Sequence, residues 1–488
     1  MARLLLVVGV LSTFLVPSLW SRGIGHIPPP PGLPLPTMAE DFDLEEGRLT
    51  VTLHEDRGLI EGHAVMWGKL YGPAPHFPFL VHSRAQVPKL LTADGLRLKG
   101  KRAGHRMDVL LPVSPRRPKY VGIRVEWLVK VGGPAASGEI APFLTPMGAY
   151  LPSDLFWHPR GIKGDKARWQ LLVKMPRHWK VEGIGKERQR FMSKGRVCYR
   201  FRLDKPVEAM AFVAGPFEQT ANRPFYGGRV RSMTLANRTD SPVRDHVTTA
   251  VKVLNFYKRH LGNPHFHRYT LIDMPGAPRG LPDGAPYRVA SEMHFSVVAS
   301  PPELAKGPYL EFLGTELARY WFGQRVKFND NLGEALSLYL GMLAVRKFDK
   351  KTNFLMSARA KAQRYLTAAA YRQDARISGI RGLGENVDRG TYEIVVRNKA
   401  PILLLCLEQA CGGLKAFMRI LRKFVYHHRD GHPVGWPQLM DVYEKDSGVD
   451  LSNFALLYID GPGLPPDVAG RIGYDSLPEP VSEGSDSQ

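Results

Sequence analysis

Apolar and polar positions change period once along the chain. From about residue 41 to 218 they alternate in short runs separated by turn residues. Leu49-Thr50-Val51-Thr52-Leu53-His54 is one such run, and Val121, Ile123, Val125, Trp127 and Val129 form another. A period of two sends successive side chains to opposite faces of a strand. Gln170–Val173, Cys198–Leu203 and Ala209–Ala214 are further strand candidates, so this region reads as an all-β domain of sandwich character. Trp157, Trp169 and Trp179 fall among these runs and are expected in its core.

From about residue 240 the apolar spacing becomes helical. Val243–Leu261, Leu304–Gly323, Ala335–Phe348, Phe354–Tyr371 and Ala400–Tyr426 are predicted helices, with shorter ones at Trp436–Ser447 and Leu451–Ile459. The expected fold class is therefore α+β and multidomain. An N-terminal β-sandwich-like domain (41–218) is followed by a mainly helical domain (219–465), and residues 466–488 are expected to be a disordered tail.

Composition adds three constraints. The 488 residues are 44% hydrophobic and 23% charged, an ordinary globular balance with room for two or three cores. Leu4–Trp20 is apolar after a short basic start, which reads as a secretory signal or an N-terminal membrane anchor (1–22). A Pro-rich linker (23–40) follows. The chain is thus expected to be exported, periplasmic or extracellular, with anchoring at the N-terminus left open. The formal charge of +21 favours anionic membrane or polymer surfaces. Nucleic acid is disfavoured as a partner, because no block of like charge and no RNP, zinc-finger or basic-zipper pattern appears. Cys198, Cys406 and Cys411 make no metal-ligand spacing. On one helix, Cys406 and Cys411 would lie roughly 140° apart around the axis, which argues against a disulfide.

The segment richest in chemistry is Leu310–Leu340. Residues i and i+4 of a helix share a face, which is how H-E-x-x-H presents two imidazoles to one metal with the glutamate as general base. Thr315-Glu316-Leu317-Ala318-Arg319-Tyr320-Trp321-Phe322-Gly323 resembles H-E-L-A-H-Q-W-F-G of the aminopeptidase N (membrane alanyl aminopeptidase) family of gluzincins. Leu332–Tyr339 resembles that family's L-N-E-G-F-A-x-Y, which would make Glu334 the third zinc ligand. Ala290-Ser291-Glu292-Met293 resembles G-A-M-E-N, which would give Glu292 the substrate's amino group. Arg397-Asn398-Lys399-Ala400-Pro401 resembles Y-x-K-G-A, with Arg397 at the place of the transition-state tyrosine. Tyr458–Pro465 resembles the family's domain end. The resemblance runs from about 45 to 465 and implies a thermolysin-like second domain.

The departures fall on the catalytic positions. Thr315 and Arg319 stand where the two zinc-binding histidines would be; a hydroxyl is a poor zinc ligand, and a guanidinium has no lone pair to give. Fourteen residues separate Arg319 from Glu334, four fewer than the family's spacing. Arg319 is expected to pair with Glu334 or Glu316, placing a positive charge where the metal would sit. Glu316 keeps the general-base position without the metal-bound water it would serve. These residues point to an inactive peptidase-like protein that binds or scaffolds at the cell envelope, with a peptide or protein N-terminus as partner and no cofactor. Two alternatives stand beside it. One is a divergent metallo-aminopeptidase with a rearranged zinc site; the other is a basic module for anionic polymers or lipid. Neither histidine group, His260/His265/His267 with His294 or His427/His428/His432, has a clear metal-binding pattern.

Overall fold

The structure is a computed structural model. It describes residues 42–71, 76–112, 119–131, 143–153, 155–162, 165–203, 206–236, 243–264, 268–273, 288–292, 295–299, 308–323, 325–349, 354–369, 376–377, 380, 389–429 and 431–465. The expected signal or anchor, the linker and the tail lie outside these, as do His265, His267 and His294.

The β region builds fourteen strands among the described residues. They are β1 (Phe42–His54), β2 (Leu59–Leu70), β3 (His76–Leu80), β4 (Gln86–Thr92), β5 (Lys99–Ala103), β6 (Arg106–Leu110), β7 (Lys119–Lys130), β8 (Phe143–Thr145), β9 (Gly148–Leu151), β10 (Arg168–Met175), β11 (Lys180–Gly183), β12 (Lys186–Ser193), β13 (Arg196–Arg202) and β14 (Phe212–Gly215). The main sheet runs β12-β13-β10-β1-β2-β7-β4, with β1 and β10 parallel and its other pairs antiparallel. A four-stranded sheet, β11-β14-β9-β8, and a three-stranded sheet, β3-β6-β5, complete the domain.

Alternation sets what the main sheet buries. Leu49, Val51 and Leu53 of β1 and Ile123, Val125, Trp127 and Val129 of β7 point into one core. Trp157, Trp169 and Trp179 are buried there too. Trp127 Nε1 donates to Trp157 O at 2.9 Å, Trp157 Nε1 to Met210 O at 3.2 Å and Trp169 Nε1 to Val207 O at 3.1 Å. Trp127, Trp157 and Trp169 are therefore buried with their donors paired, whereas Trp179 Nε1 is buried without a hydrogen-bond partner among the described residues. The strand expected at Ala209–Ala214 covers only Phe212–Gly215, because the Met210 N–H is taken by His158 Nε2 (3.0 Å) instead of a neighbouring strand.

A five-stranded sheet, the second largest, went unpredicted. β15 (Phe217–Phe225), β16 (Gly228–Leu235), β17 (Arg268–Asp273), β18 (Arg288–Glu292) and β19 (Phe295–Ala299) pair in the order β15-β16-β17-β19-β18. Its two faces serve different cores: Met233, Leu235 and Ile272 join the sandwich, while Val230, Tyr269 and Leu271 join the helices. Strands buried on both faces lose the alternation that reveals a half-exposed one.

The helical body comprises α1 (Val243–Leu261), α2 (Pro308–Ala318), α3 (Leu332–Phe348), α4 (Phe354–Ala369), α5 (Arg389–Ile394), α6 (Ala400–Ala410), α7 (Leu414–His428), α8 (Trp436–Ser447) and α9 (Ser452–Phe454). Two π-helical turns occur: Val395–Lys399 joins α5 to α6, and Ala455–Ile459 follows α9. The continuous helix expected over Ala400–Tyr426 is broken between α6 and α7. Gly412 and Gly413 take φ of +89° and +95° there, which a β-carbon disfavours. Cys198, Cys406 and Cys411 are buried, and none is in a disulfide. Among the described residues no single helix is long and apolar enough to cross a membrane.

Candidate functional site

α2 and α3 carry the degenerate motif and cross closely because glycines meet at the contact. Gly314 on α2 and Gly341 on α3 face one another, and a Cβ on Gly341 would overlap Thr315 Oγ1 and the Glu311 carbonyl. The Tyr257 hydroxyl ties both backbones, 2.7 Å from Leu340 O and 3.1 Å from Gly314 O. Thr315 is buried in this seam, and its hydroxyl donates to Glu311 O at 2.8 Å, a bond within its own helix. That oxygen is turned to the α2 backbone and away from the acidic residues of the site.

The helix expected to run through Gly323 stops at Ala318. Arg319, Tyr320 and Trp321 continue as turns, with their N–H groups bonded to the carbonyls of Glu316, Leu317 and Ala318. The second-histidine position, Arg319, therefore falls just past the end of α2, in the turn and not on the helix. Its guanidinium lies between two carboxylates, with Nε 3.2 Å from Glu316 Oε1 and one terminal nitrogen 2.6 Å from Glu334 Oε2. Burial alone would weaken that charge. Glu316 and Glu334 more than offset it and hold the guanidinium above its already high range.

Glu334 sits in the first turn of α3, where helix polarity favours an anion. The start of α3 is fixed by a polar knot. Asp330 accepts from Leu332 N and Trp436 N, both at 2.9 Å. Asn331 donates to Ile377 O and Ile380 O and accepts from Trp436 Nε1 at 3.0 Å. Arg397, in the π turn before α6, reaches Glu334 Oε1 at 4.0 Å and Glu393 Oε1 at 3.2 Å. The structure thus gathers Glu316, Arg319, Glu334 and Arg397 into one charged cluster. Glu292 ends the edge strand β18, paired with Phe295; its side chain lies outside the described detail.

Two members were missed in the sequence. Tyr392 is nearly buried beside Glu334, and burial with that negative charge pushes its phenol up to about 12. Glu393 is the ion-pair partner of Arg397. Both precede the matched R-N-K-A-P by a few residues. A π turn alters the 3.6-residue phase that would place them, so spacing gave no signal.

Zinc asks for three neutral imidazole, thiolate or carboxylate ligands in tetrahedral array. The residues here do not fit it: Thr315 is turned to its own helix, and a cation already bridges Glu316 and Glu334. Among the described residues, no group of three His, Cys, Asp or Glu side chains is arranged to hold a metal. His260 lies against Phe256 and His428 against Phe424, at ring separations of 4.9 and 4.7 Å.

Comparison with solved structures identifies the fold. The chain superposes on an M1 zinc metallopeptidase from Deinococcus radiodurans, a Glu-to-Ala variant bound to a Tyr-Ser-Ala substrate, with a TM-score of 0.65. Identity is 16%, over 91% of this chain and 97% of that one. The unsubstituted M1 zinc metallopeptidase of the same organism gives a TM-score of 0.62 at 17% identity, covering 90% of this chain and 96% of that one. A two-domain M1 variant bound to L-arginine gives 0.64 at 17%, covering 91% and 97%. The architecture is therefore that of a two-domain M1 peptidase, a β-sandwich followed by a helical domain. No protein-family model and no curated protein matches the sequence.

Proposed function

We propose that this chain is a non-catalytic relative of the M1 peptidases that retains the two-domain body and binds a peptide or protein N-terminus at the cell envelope without cleaving it. One observation carries the proposal: the Arg319 guanidinium joins Glu316 to Glu334, the two carboxylates a gluzincin would devote to the general base and the metal. A fixed organic cation pairs with both carboxylates, offsetting one of their two charges, but offers no open position for water and no Lewis acidity. Arg397 puts a cation at the position where a neutral phenol would meet a developing oxyanion. The related structures hold a tripeptide, L-tryptophan or L-arginine, which supports a cleft suited to a short chain end.

Elemental mass spectrometry on the chain purified after zinc supplementation tests the proposal, together with an aminoacyl-coumarin hydrolysis assay. The expected result is far less than one zinc per chain and no hydrolysis. One zinc per chain, lost on Glu334→Gln, would overturn it. Titration with a short peptide and its N-acetylated form tests the binding half. The free amine is expected to bind and the acetylated form to bind at least tenfold more weakly, by analogy with the cost of losing one charged hydrogen bond.

A further inference from the structure

A dense positive patch lies outside the cluster of Glu316 and Glu334, on the β12–β13 hairpin at the edge of the main sheet. Within Lys186–Arg202 there are seven cations (Lys186, Arg188, Arg190, Lys194, Arg196, Arg200 and Arg202) and one anion, Glu187. All but Arg196 are exposed. Arg196 turns inward instead, to Leu53 O at 2.6 Å and Glu55 at 3.8 Å. Among the described residues, no ion pair engages Arg190, Lys194, Arg200 or Arg202. Arg190 lies over the Tyr199 ring (5.2 Å) and Arg200 over Phe191 (6.0 Å). These contacts hold the guanidiniums against the hairpin without cancelling their charge.

The tip combines charge with apolar surface. Lys194 and Gly195 make a tight turn at φ of +48° and +74°, flanked by Met192, which is 51% exposed, and by half-buried Phe191. Edge-strand protection accounts for part of the pattern, since charges and a bulge on β12, here between Glu187 and Gln189, deter strand addition. It does not account for Lys194 in the turn, nor for Arg200 and Arg202 on the inner, already paired strand.

We infer that this hairpin docks tip-first on an anionic lipid surface, its cations meeting headgroup phosphates while Met192 and Phe191 enter the interfacial layer. An acidic polymer would answer the charge alone; the apolar tip between the cations favours a bilayer. The chain's own geometry permits the pose. The hairpin turn lies at the His54 end of β1, as the Arg196–Leu53 contact shows, about 40 Å from Phe42 at the strand's rise per residue. Nineteen residues (23–41) have a covalent reach of at most roughly 60 Å, so a membrane-held segment 4–20 would not forbid the tip from meeting the same bilayer.

The test uses the full chain with Met192→Cys carrying an environment-sensitive fluorophore; the three native cysteines are buried. Vesicles of phosphatidylcholine are compared with and without phosphatidylglycerol. A blue shift, quenched by brominated lipid and reversed by salt, is expected only on the anionic vesicles. Replacing Arg190, Lys194, Arg200 and Arg202 with Gln should abolish the shift and weaken the salt-sensitive part of binding roughly tenfold or more. The N-terminal segment is common to both chains, so its own binding cancels. Absence of the shift on anionic vesicles, or an equal shift on neutral ones, would overturn the inference. So would salt-sensitive capture by soluble polyglutamate with no label response on vesicles, which would assign the patch to acidic polymers.

Discussion

At the scale of single residues, two substitutions relative to the family pattern change what the site can hold. Arg319 bridges Glu316 and Glu334, whose side chains are 9% and 13% exposed, and is itself 38% exposed. Its removal leaves two nearly buried carboxylates facing each other. Breaking a fully buried pair costs about 3–5 kcal/mol and an exposed one under about 1, so Arg319→Ala is expected to cost about 2 kcal/mol in urea unfolding. Adding Glu334→Gln should recover part of that loss, and a double-mutant cycle showing no coupling would refute the bridge. This pairing was legible in the sequence, because charge and motif position restrict the partners Arg319 could find. Tyr392 and Glu393 were not, since their place at the site depends on where helical phase changes. The orientation of Thr315 was equally hidden: whether a hydroxyl turns to a ligand or to its own helix depends on how closely the next helix approaches.

That approach belongs to the scale of elements. Gly341 lets α3 settle against Thr315 and Glu311 of α2, so Gly341→Ala must separate the helices. Overpacking of this kind costs about 1–3 kcal/mol. The variant is expected to unfold at correspondingly lower urea concentration; an unchanged midpoint would mean the seam is loose. Lys399, at the end of the π turn, is fully buried; its ammonium donates to Gly461 O at 2.5 Å and lies 5.3 Å from the Tyr365 ring. Burial lowers its pKa from 10.5 to about 7, against a smaller pull upward from Asp460. Unfolding therefore takes up a proton between pH 7 and 10.5, so this group's contribution to stability rises with pH across that window and is lost as pH falls through 7. Thermal melts of the native chain and Lys399→Met should diverge in favour of the native chain as pH rises; parallel curves would exclude a buried neutral lysine. The helices α1 and α8 were legible to the residue because one face of each is solvated. β15–β19 were not: two cores claim the two faces of β16 and β17, and β15 is mostly exposed, so neither pattern gives a clean alternation.

At the scale of the molecule, one buried carboxylate links the two halves. Glu182 of β11, 1% exposed, forms ion pairs with Arg231 of β16 and with Arg268 of β17, the latter at 2.6 Å. Arg268 also donates to Gly183 O and Gly185 O, at 3.1 and 3.0 Å, and its own carbonyl accepts from the Tyr320 hydroxyl at 2.8 Å. Tyr320 follows Arg319, so the sandwich, the five-stranded sheet and the turn that carries the site cation are joined by one polar chain. The sequence could not announce it: the four contributing segments are about forty to fifty residues apart, and Glu182, Arg231 and Arg268 fall in no motif. Glu182→Gln preserves shape but leaves two largely buried guanidiniums without a counter-charge, a loss of about 3 kcal/mol. The sandwich and the helical body have separate cores, so the weakened link should also show in how they unfold. Calorimetry of the native chain is expected to give one cooperative transition, and that of Glu182→Gln two, the earlier belonging to the half that loses more packing. If both proteins melt in a single transition at the same temperature, apolar contacts across the five-stranded sheet hold the halves together and Glu182 only sets their angle. In that case Arg319 would keep its place between Glu316 and Glu334 whatever happens at Glu182, and site and interface could be altered independently.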